Sequence, residues 1–206
     1  MNFEDIPQGS KVIPVLELPS LDQAAPLAEA LASGGLRAIE LTLRTECALD
    51  AVGVMQAAAP DLFVGMGTIR NSEDIAKSID SGASFLVSPG SNPNLLEELE
   101  KSGANALPGV ATASESMIAA NAGFMRQKFF PAEPAGGVNY LKALAGPMPD
   151  VAFCPTGGIT YELTSGYLAL SNVLCVGGSW IATKKMIANC EWKTIEENAR
   201  RASNLN

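Results

Sequence analysis

Eight short apolar runs alternate with helix-like segments along this chain, and this alternation restricts the possible folds more than any other feature. Such repeats are typical of parallel sheets with helices on their faces. The count of eight predicts a single (β/α)8 TIM barrel domain over residues 1–206 with a C-terminal helix. An open doubly wound sheet is the alternative, but no Gly-x-Gly-x-x-Gly segment follows the first run. The runs begin near Val12, Ala38, Phe63, Phe85, Ala106, Met125, Val151 and Val173.

Three segments carry the residues that begin helices. Asn92-Pro93 offers a capping side chain followed by a proline at the first helical position. Thr112 and Glu115 have the spacing of a capping box, and we interpret Ser20–Gln23 in the same way. Each of these segments is therefore predicted to open a helix.

The charge pattern argues against two classes of partner. The formal net charge is −8, and the positive residues form no basic run. We therefore expect the chain to bind neither nucleic acid nor an anionic membrane surface. The first five residues do not have the pattern of a secretory signal, and no apolar stretch approaches the length of a membrane span. A cytoplasmic protein is expected.

Histidine is absent, and this limits the chemistry of any active site. Ser–His and Cys–His nucleophile pairs and His-ligated metals are excluded. The cysteines are far apart in sequence, so we predict small core residues rather than a disulfide framework or a zinc site; they are Cys47, Cys154, Cys175 and Cys190. Acid–base chemistry then depends on Glu, Asp, Lys, Tyr or a thiol.

One lysine lies inside an apolar run that is predicted to be a buried strand. The segment Met125–Pro131 alternates its side chains, so Lys128 shares a face with Arg126 and Phe130. Removal of water from an ammonium group favours the neutral amine that attacks carbonyl carbons. The alternative is an edge-strand lysine whose charged end reaches solvent.

The second predicted strand carries polar groups on one face. Glu40, Thr42 and Arg44 alternate with three apolar residues, so the polar face would point into the interior. A carboxylate and a guanidinium close to a desolvated lysine favour a functional site. An internal ion pair between Glu40 and Arg44 is the structural alternative.

Glycine-rich segments end several of the predicted strands. In parallel α/β folds, ligands bind at the carboxyl ends of the strands. Paired glycines before a helix expose backbone N–H groups, which favours phosphate binding near the seventh and eighth strands over plain turns. The segments are Gly65–Thr68, Ser88–Gly90, Pro155–Ile159 and Gly177–Trp180.

Six motifs in one order resemble 2-keto-3-deoxy-6-phosphogluconate aldolases from about Lys11 to Trp180. That family consists of trimeric class I aldolases on a (β/α)8 barrel. The motifs are Ile39–Glu46, Gly65–Thr68, Ser88–Gly90, Lys128–Glu133, Phe153–Ile159 and Gly177–Trp180.

The resemblance implies roles for individual residues. Lys128 would form the Schiff base, and Glu40 would be the general acid and base. Met66, where the family usually has a smaller residue, is expected to crowd the pocket slightly. The residues that would bind substrate are Arg44 and Thr68 at the carboxylate, Pro89 and Phe130 as pocket walls, Gly157, Gly158 and Ser179 at the phosphate, and Thr156 as a further substrate-binding residue.

The implied reaction is cleavage of 2-keto-3-deoxy-6-phosphogluconate to pyruvate and glyceraldehyde 3-phosphate in the Entner–Doudoroff pathway. The resemblance implies a homotrimer that binds a keto-acid phosphate and needs no metal or organic cofactor. Cleavage of 4-hydroxy-2-oxoglutarate is the nearest alternative. A non-catalytic phosphosugar-binding barrel and a phosphosugar isomerase are the others.

Overall fold

The computed structural model describes residues 11–205 of the chain. The expectation about the first five residues therefore lies outside the described part.

Short parallel strands form the centre of the molecule. Every strand pair with a defined register is parallel, as the βα repeat predicts. Within residues 11–205 the strands are β1 (Val12–Leu16), β2 (Ala38–Thr42), β3 (Phe63–Gly67), β4 (Leu86–Val87), β5 (Ala106–Leu107), β6 (Gly109–Val110), β7 (Arg126–Phe129), β8 (Ala152–Pro155) and β9 (Val176–Gly178).

The prediction of a closed eight-stranded TIM barrel is wrong. Across the described residues, the strands form a six-stranded sheet in the order β5-β4-β3-β2-β1-β9 and a separate three-stranded sheet in the order β6-β7-β8. Pro108, which has no N–H group to donate to a ladder, divides the predicted fifth strand into β5 and β6.

A change of register separates the two sheets on their other side. Only the isolated bridges Phe153–Val173 and Thr156–Gly177 join β8 to the segment around β9 in the described structure. The β9 segment carries one more residue between these bridges than the β8 segment does. An extra residue on one strand interrupts a regular ladder.

Helices follow most of the strands. No helix within residues 11–205 is both long enough and apolar enough to span a membrane. The helices of this region are α1 (Ala24–Ser33), α2 (Ala48–Ala58), α3 (Ser72–Asp80), α4 (Pro93–Ser102), α5 (Ala113–Asn121), α6 (Gly137–Leu144), α7 (Tyr161–Leu168), α8 (Lys184–Ala188) and α9 (Trp192–Ser203), and a short 3-10 helix (Leu21–Gln23) precedes α1.

Two of the three predicted helix starts are confirmed. The Asn92 side chain accepts the Leu95 N–H at 2.9 Å, and Thr112 and Glu115 form a reciprocal capping box. The third prediction is wrong because the segment after Ser20 is a 3-10 helix, and the Ser20 side chain makes no capping bond to the backbone. Its hydroxyl donates instead to the Asp22 carboxylate.

The core consists of apolar clusters on both sides of the strands. One small cluster combines residues from both sheets and includes Ile13, Val87, Leu107, Cys154 and Cys175. The prediction that the cysteines are core residues is thus confirmed for two of them. Cys47 is half-buried and packs against the large apolar cluster, whereas the prediction is wrong for Cys190, which is exposed.

Strand β7 is oriented by side chains on its helix-facing side. The Gln127 amide group accepts from the Ser116 hydroxyl at 2.6 Å and donates to the Phe124 carbonyl oxygen at 2.8 Å. The Phe129 ring stacks on Tyr140 of α6, with 5.4 Å between centroids and 4° between planes. Because strand side chains alternate, these contacts direct Lys128 to the opposite face.

Candidate active site

Lys128 is buried and touches a carboxylate. Its Nζ donates to Glu40 Oε1 at 2.8 Å and to Oε2 at 3.1 Å, and the two side chains are only 7% and 6% exposed. A buried ammonium needs such a partner because unpaired burial of a charge is costly. The edge-strand alternative for Lys128 is therefore wrong.

The strand that carries Lys128 is paired with a neighbouring strand on each side. Lys128 is in register with Gly109 of β6 and Cys154 of β8, and its N–H donates to the Pro108 carbonyl oxygen at 2.9 Å. The Phe130 ring centroid lies 5.4 Å from Nζ. The predicted shared face of Lys128 and Phe130 is confirmed by this contact.

Glu40 reaches Lys128 because the neighbouring strand has no side chain in the way. Glu40 pairs in register with Gly65 of β3, and Thr42 pairs with Gly67. A Cβ atom on Gly67 would lie 2.7 Å from Glu40 Cγ, which is closer than non-bonded carbons approach. Glycine at position 67 therefore leaves the space that the carboxylate occupies.

The alternative in which Glu40 pairs with Arg44 is wrong. Glu40 pairs with Lys128, whereas Arg44 lies beyond the end of β2 and is exposed. Its side chain lines a pocket of about 230 Å³ that also includes Thr42 and Ser179. Two predicted substrate residues, Arg44 and Ser179, are thus brought to one pocket.

The same pocket contains two charged residues that the sequence analysis did not select. Glu17 follows β1 and Lys184 begins α8, and their side chains form an ion pair across the pocket wall. Glu17 directly follows a strand, and Lys184 is the first residue of a helix. Their positions at the carboxyl ends of the strands are the sequence signal that could have identified them. Neither lies in one of the six recognised motifs.

Thr68 and Pro89 follow adjacent strands and are both half-buried. Thr68 has a φ of +69°, in the left-handed region that a β-branched residue rarely adopts. Such a conformation costs free energy and is common at ligand sites. The Pro89 backbone packs on Gly109, the residue in register with Lys128, so that a Cβ at position 109 would lie 2.6 Å from the Pro89 carbonyl oxygen.

The segment from Thr156 to Gly158 follows β8 beside Phe130. Gly157 and Gly158 have φ values of +105° and +80°, and a Cβ on Gly157 would lie 3.1 Å from the Phe130 ring. Thr156 is buried and bridges to Gly177 of β9. The structure thus places this glycine turn next to the residue that contacts Lys128.

Met66 does not crowd the site. It is fully buried in the large apolar cluster that also contains Leu41 and Val52. Its neighbour Gly67 faces the Glu40 carboxylate, and adjacent strand residues point to opposite faces. The expectation that Met66 narrows the pocket is therefore wrong.

Comparisons with known proteins agree with one another. A sequence model of the family described as "Aldolase: KDPG and KHG aldolase" matches residues 3–198. A 2-dehydro-3-deoxy-phosphogluconate aldolase of Pseudoalteromonas atlantica is 43% identical over 202 residues, covering 98% of this chain and 94% of that protein. A KHG/KDPG aldolase of Escherichia coli K12 is 42% identical and covers 97% of this chain and 93% of that protein.

A solved structure is similar along most of the chain. It is a KDPG aldolase from Legionella pneumophila with pyruvate captured at low pH as a covalent carbinolamine intermediate. The TM-score is 0.90 at 43% identity, and the alignment covers 94% of each chain. Together, the fold and these matches define an aldolase. More specifically, the chain belongs to the KDPG and KHG aldolase family.

Proposed function

We propose that this protein is a class I aldolase that cleaves 2-keto-3-deoxy-6-phosphogluconate to pyruvate and glyceraldehyde 3-phosphate. The observation that carries the proposal is the buried contact between Lys128 Nζ and both oxygens of Glu40. A lysine and a carboxylate in hydrogen-bond contact can exchange a proton, which provides both the nucleophile and the base that this reaction needs.

The first half of the reaction attaches the substrate to Lys128. The ammonium transfers a proton to Glu40, and the neutral amine attacks the C2 ketone. Glu40 returns this proton to the ketone oxygen to give a carbinolamine protonated at nitrogen. Transfer of one N–H proton to the hydroxyl and loss of water then leave a protonated imine and an ionised Glu40. This cation accepts electrons from the bond that breaks, so no metal or organic cofactor is needed.

The second half breaks the C3–C4 bond. Glu40, directly or through one water, accepts the C4 hydroxyl proton. The oxygen then forms the new aldehyde, and the electron pair of the C3–C4 bond moves towards the imine nitrogen. Glyceraldehyde 3-phosphate leaves behind an enamine of pyruvate. Protonation at C3 and hydrolysis release pyruvate and regenerate Lys128.

Arg44 and Thr68 are proposed to hold the substrate carboxylate. The guanidinium can bind two carboxylate oxygens at once, and Arg44 lines a pocket at the end of β2. Pro89 and Phe130 are proposed as walls. The ring of Phe130 lies next to both Lys128 Nζ and Gly157, which supports a place between the reacting carbons and the phosphate end.

The phosphate is proposed to bind at Gly157, Gly158 and Ser179, and Thr156 is proposed as a further substrate-binding residue. The positive φ values of the two glycines open the turn after β8. Backbone N–H groups at such turns form hollows that accept anions. Ser179 follows β9 and is exposed at the pocket, so its hydroxyl is available to a phosphate oxygen.

Borohydride trapping tests the proposal. Pyruvate added with sodium borohydride is expected to leave a reduced three-carbon adduct on Lys128, located by peptide mass mapping. Lys128→Met should abolish the adduct. The control Lys142→Met removes an exposed lysine of α6 and should leave the adduct unchanged. An adduct on another lysine, or none, would contradict the assignment.

Cleavage of 4-hydroxy-2-oxoglutarate is a second candidate activity, supported by the name of the Escherichia coli relative. This reaction would use Lys128 and Glu40 but not the phosphate site. Ser179→Ala should therefore raise the KM for the phosphorylated substrate and leave the KM for 4-hydroxy-2-oxoglutarate nearly unchanged. If the unaltered protein cleaves only the phosphorylated substrate, the second activity is excluded.

We further propose a single-domain, cytoplasmic homotrimer that acts in the Entner–Doudoroff pathway. The single domain is supported by α9, whose Ser203 hydroxyl donates to the Gly34 carbonyl oxygen after α1 at 2.9 Å. The trimer and the pathway rest on the family resemblance. Sedimentation equilibrium of the full chain tests the trimer, since a monomeric mass would exclude it.

A further inference from the structure

Glu133 packs directly against the glycine turn that follows β8. Its N–H donates to the Gly157 carbonyl oxygen at 3.0 Å. A Cβ atom on Gly158 would lie 2.9 Å from Glu133 Cβ. Because both neighbouring residues of the turn meet Glu133, the position of this one residue affects the conformation of the turn.

The Glu133 side chain is held on the far side by a buried phenol. Tyr167 of α7 is fully buried, and its hydroxyl donates to Glu133 Oε1. Burial, followed by the hydrogen bond to Glu133, raises the pKa of the Tyr167 phenol well above its usual range. The phenol therefore stays protonated and remains a donor at all physiological pH values.

The first turn of α6 leaves room for this pair. Gly137 has a φ of +60°, and a Cβ there would lie 3.2 Å from both Glu133 Oε1 and the Tyr167 hydroxyl. The Gly137 N–H donates to the Ala132 carbonyl oxygen at 2.9 Å, and the Ala132 N–H donates to the Thr156 carbonyl oxygen at 2.8 Å. The backbone on both sides of Glu133 is thus tied to α6 and to the segment after β8.

A carboxylate is an unsuitable direct ligand for a phosphate because the two charges repel each other. Glu133 nevertheless lies beside the turn at which the phosphate is proposed to bind. Its carboxylate accepts from Tyr167, so its negative charge is engaged away from the ligand. This arrangement suits a residue that shapes the turn rather than one that binds the substrate.

We propose that Glu133 and Tyr167 are positioning residues that hold the Gly157–Gly158 turn in the conformation that receives the phosphate monoester of the substrate. The inference rests on the proposed function and extends it from the turn to the residues behind it. Loss of the phenol would leave a partly buried carboxylate without this donor, and the side chain would then move towards solvent. Movement of the Glu133 side chain would displace the turn through its packing against Gly158.

Tyr167→Phe, which removes the donor, and Glu133→Leu, which removes the acceptor, test the inference with two substrates. The phosphorylated substrate should show a KM raised about tenfold with kcat changed less than about twofold. The Ki of inorganic phosphate as a competitive inhibitor should rise by about the same factor. For 4-hydroxy-2-oxoglutarate, which has no phosphate, kcat/KM should change less than about twofold.

Two control variants remove equivalent groups elsewhere. Tyr140→Phe deletes a phenol that accepts the Ala113 N–H, and Glu162→Gln neutralises an exposed carboxylate of α7. Neither should change the Ki of phosphate. Glu133→Leu removes the acceptor of the Tyr167 hydroxyl at a similar side-chain volume, so it remains informative if Tyr167→Phe folds poorly.

Equal losses with both substrates would overturn the inference, because a purely structural defect affects them alike. An unchanged phosphate Ki in both variants would also overturn it. Borohydride trapping with pyruvate separates these results from failure of the proposed function. An adduct on Lys128 together with an unchanged Ki would reject only the positioning role, whereas absence of the adduct in the unaltered protein would reject both.

Discussion

Lys128 and Glu40 are 88 residues apart in sequence, and their side chains join the two sheets of the molecule. Lys128 belongs to β7 of the three-stranded sheet, and Glu40 belongs to β2 of the six-stranded sheet. Their 2.8 Å contact lies between sheets that share a small apolar cluster and have isolated bridges at one edge. The proposed nucleophile and base thus also form a tertiary contact.

Replacement of Glu40 by Gln is expected to lower kcat by about 10²–10⁴ because the amide cannot accept the C4 hydroxyl proton. The Schiff base should still form slowly, which borohydride trapping would measure. Glu29→Gln, on the exposed side of α1, is the control and should keep full activity. An unimpaired Glu40→Gln enzyme would exclude Glu40 as the base.

Gly67→Ala is expected to disturb the site directly. The new methyl group would meet the Glu40 side chain within 2.7 Å, and overpacking of this kind destabilises by about 1–3 kcal/mol. Chemical denaturation would measure the loss, and turnover should fall because the carboxylate is displaced from Lys128. Gly53→Ala is the matched control, since no atom lies within 4 Å of its Cβ position in α2. That variant should be stabilised by up to about 1 kcal/mol.

Arg44→Lys should raise the KM for the keto acid by about tenfold or more, because an ammonium cannot reproduce a two-oxygen grip on a carboxylate. Steady-state kinetics with the phosphorylated and unphosphorylated substrates should show the same increase, since both carry the carboxylate. Arg37→Lys, at an exposed pair with Asp61, serves as the control. A rise in KM for only one substrate would assign Arg44 to another part of the ligand.

Thr112→Ala should cost about 1 kcal/mol of unfolding free energy and leave kcat unchanged. The substitution removes one half of the capping box at α5, where Thr112 accepts the Glu115 N–H at 3.2 Å. Urea denaturation measures the effect. Ser114→Ala is the control, because Ser114 lies two residues after Thr112 and is exposed. It should change the unfolding free energy by less than about 0.5 kcal/mol. Similar losses in both variants would show that the cap itself contributes little.

Local features were predictable because they depend on residues close together in the chain. The starts of α4 and α5 follow from side chains three residues from the N–H groups that they cap. The common face of Lys128 and Phe130 follows from the alternation of side chains along one strand. The family motifs added the expected roles of residues on distant segments.

Long-range features were not predictable in the same way. The pattern of β2 left the partner of Glu40 open, and the structure selected Lys128 rather than Arg44. The apolar run near Ala106 looked like one strand, but Pro108 breaks it, so the expected barrel consists of two sheets in residues 11–205. Glu133 is the last residue of the Lys128–Glu133 motif, but the sequence did not predict its contacts with Gly158 and Tyr167.

The parallel α/β repeat, two of three predicted helix starts and the family could be predicted from the amino acids alone, because periodicity, capping and motifs are properties of short segments. The pairing of Lys128 with Glu40, the separation of the two sheets and the contacts of Glu133 behind the glycine turn required the folded structure. A charge that is buried without a partner costs free energy, and the partner is set by the packing of distant segments rather than by the local sequence. Glu40 and Lys128 are 88 positions apart in sequence, so only the folded chain brings the two side chains together.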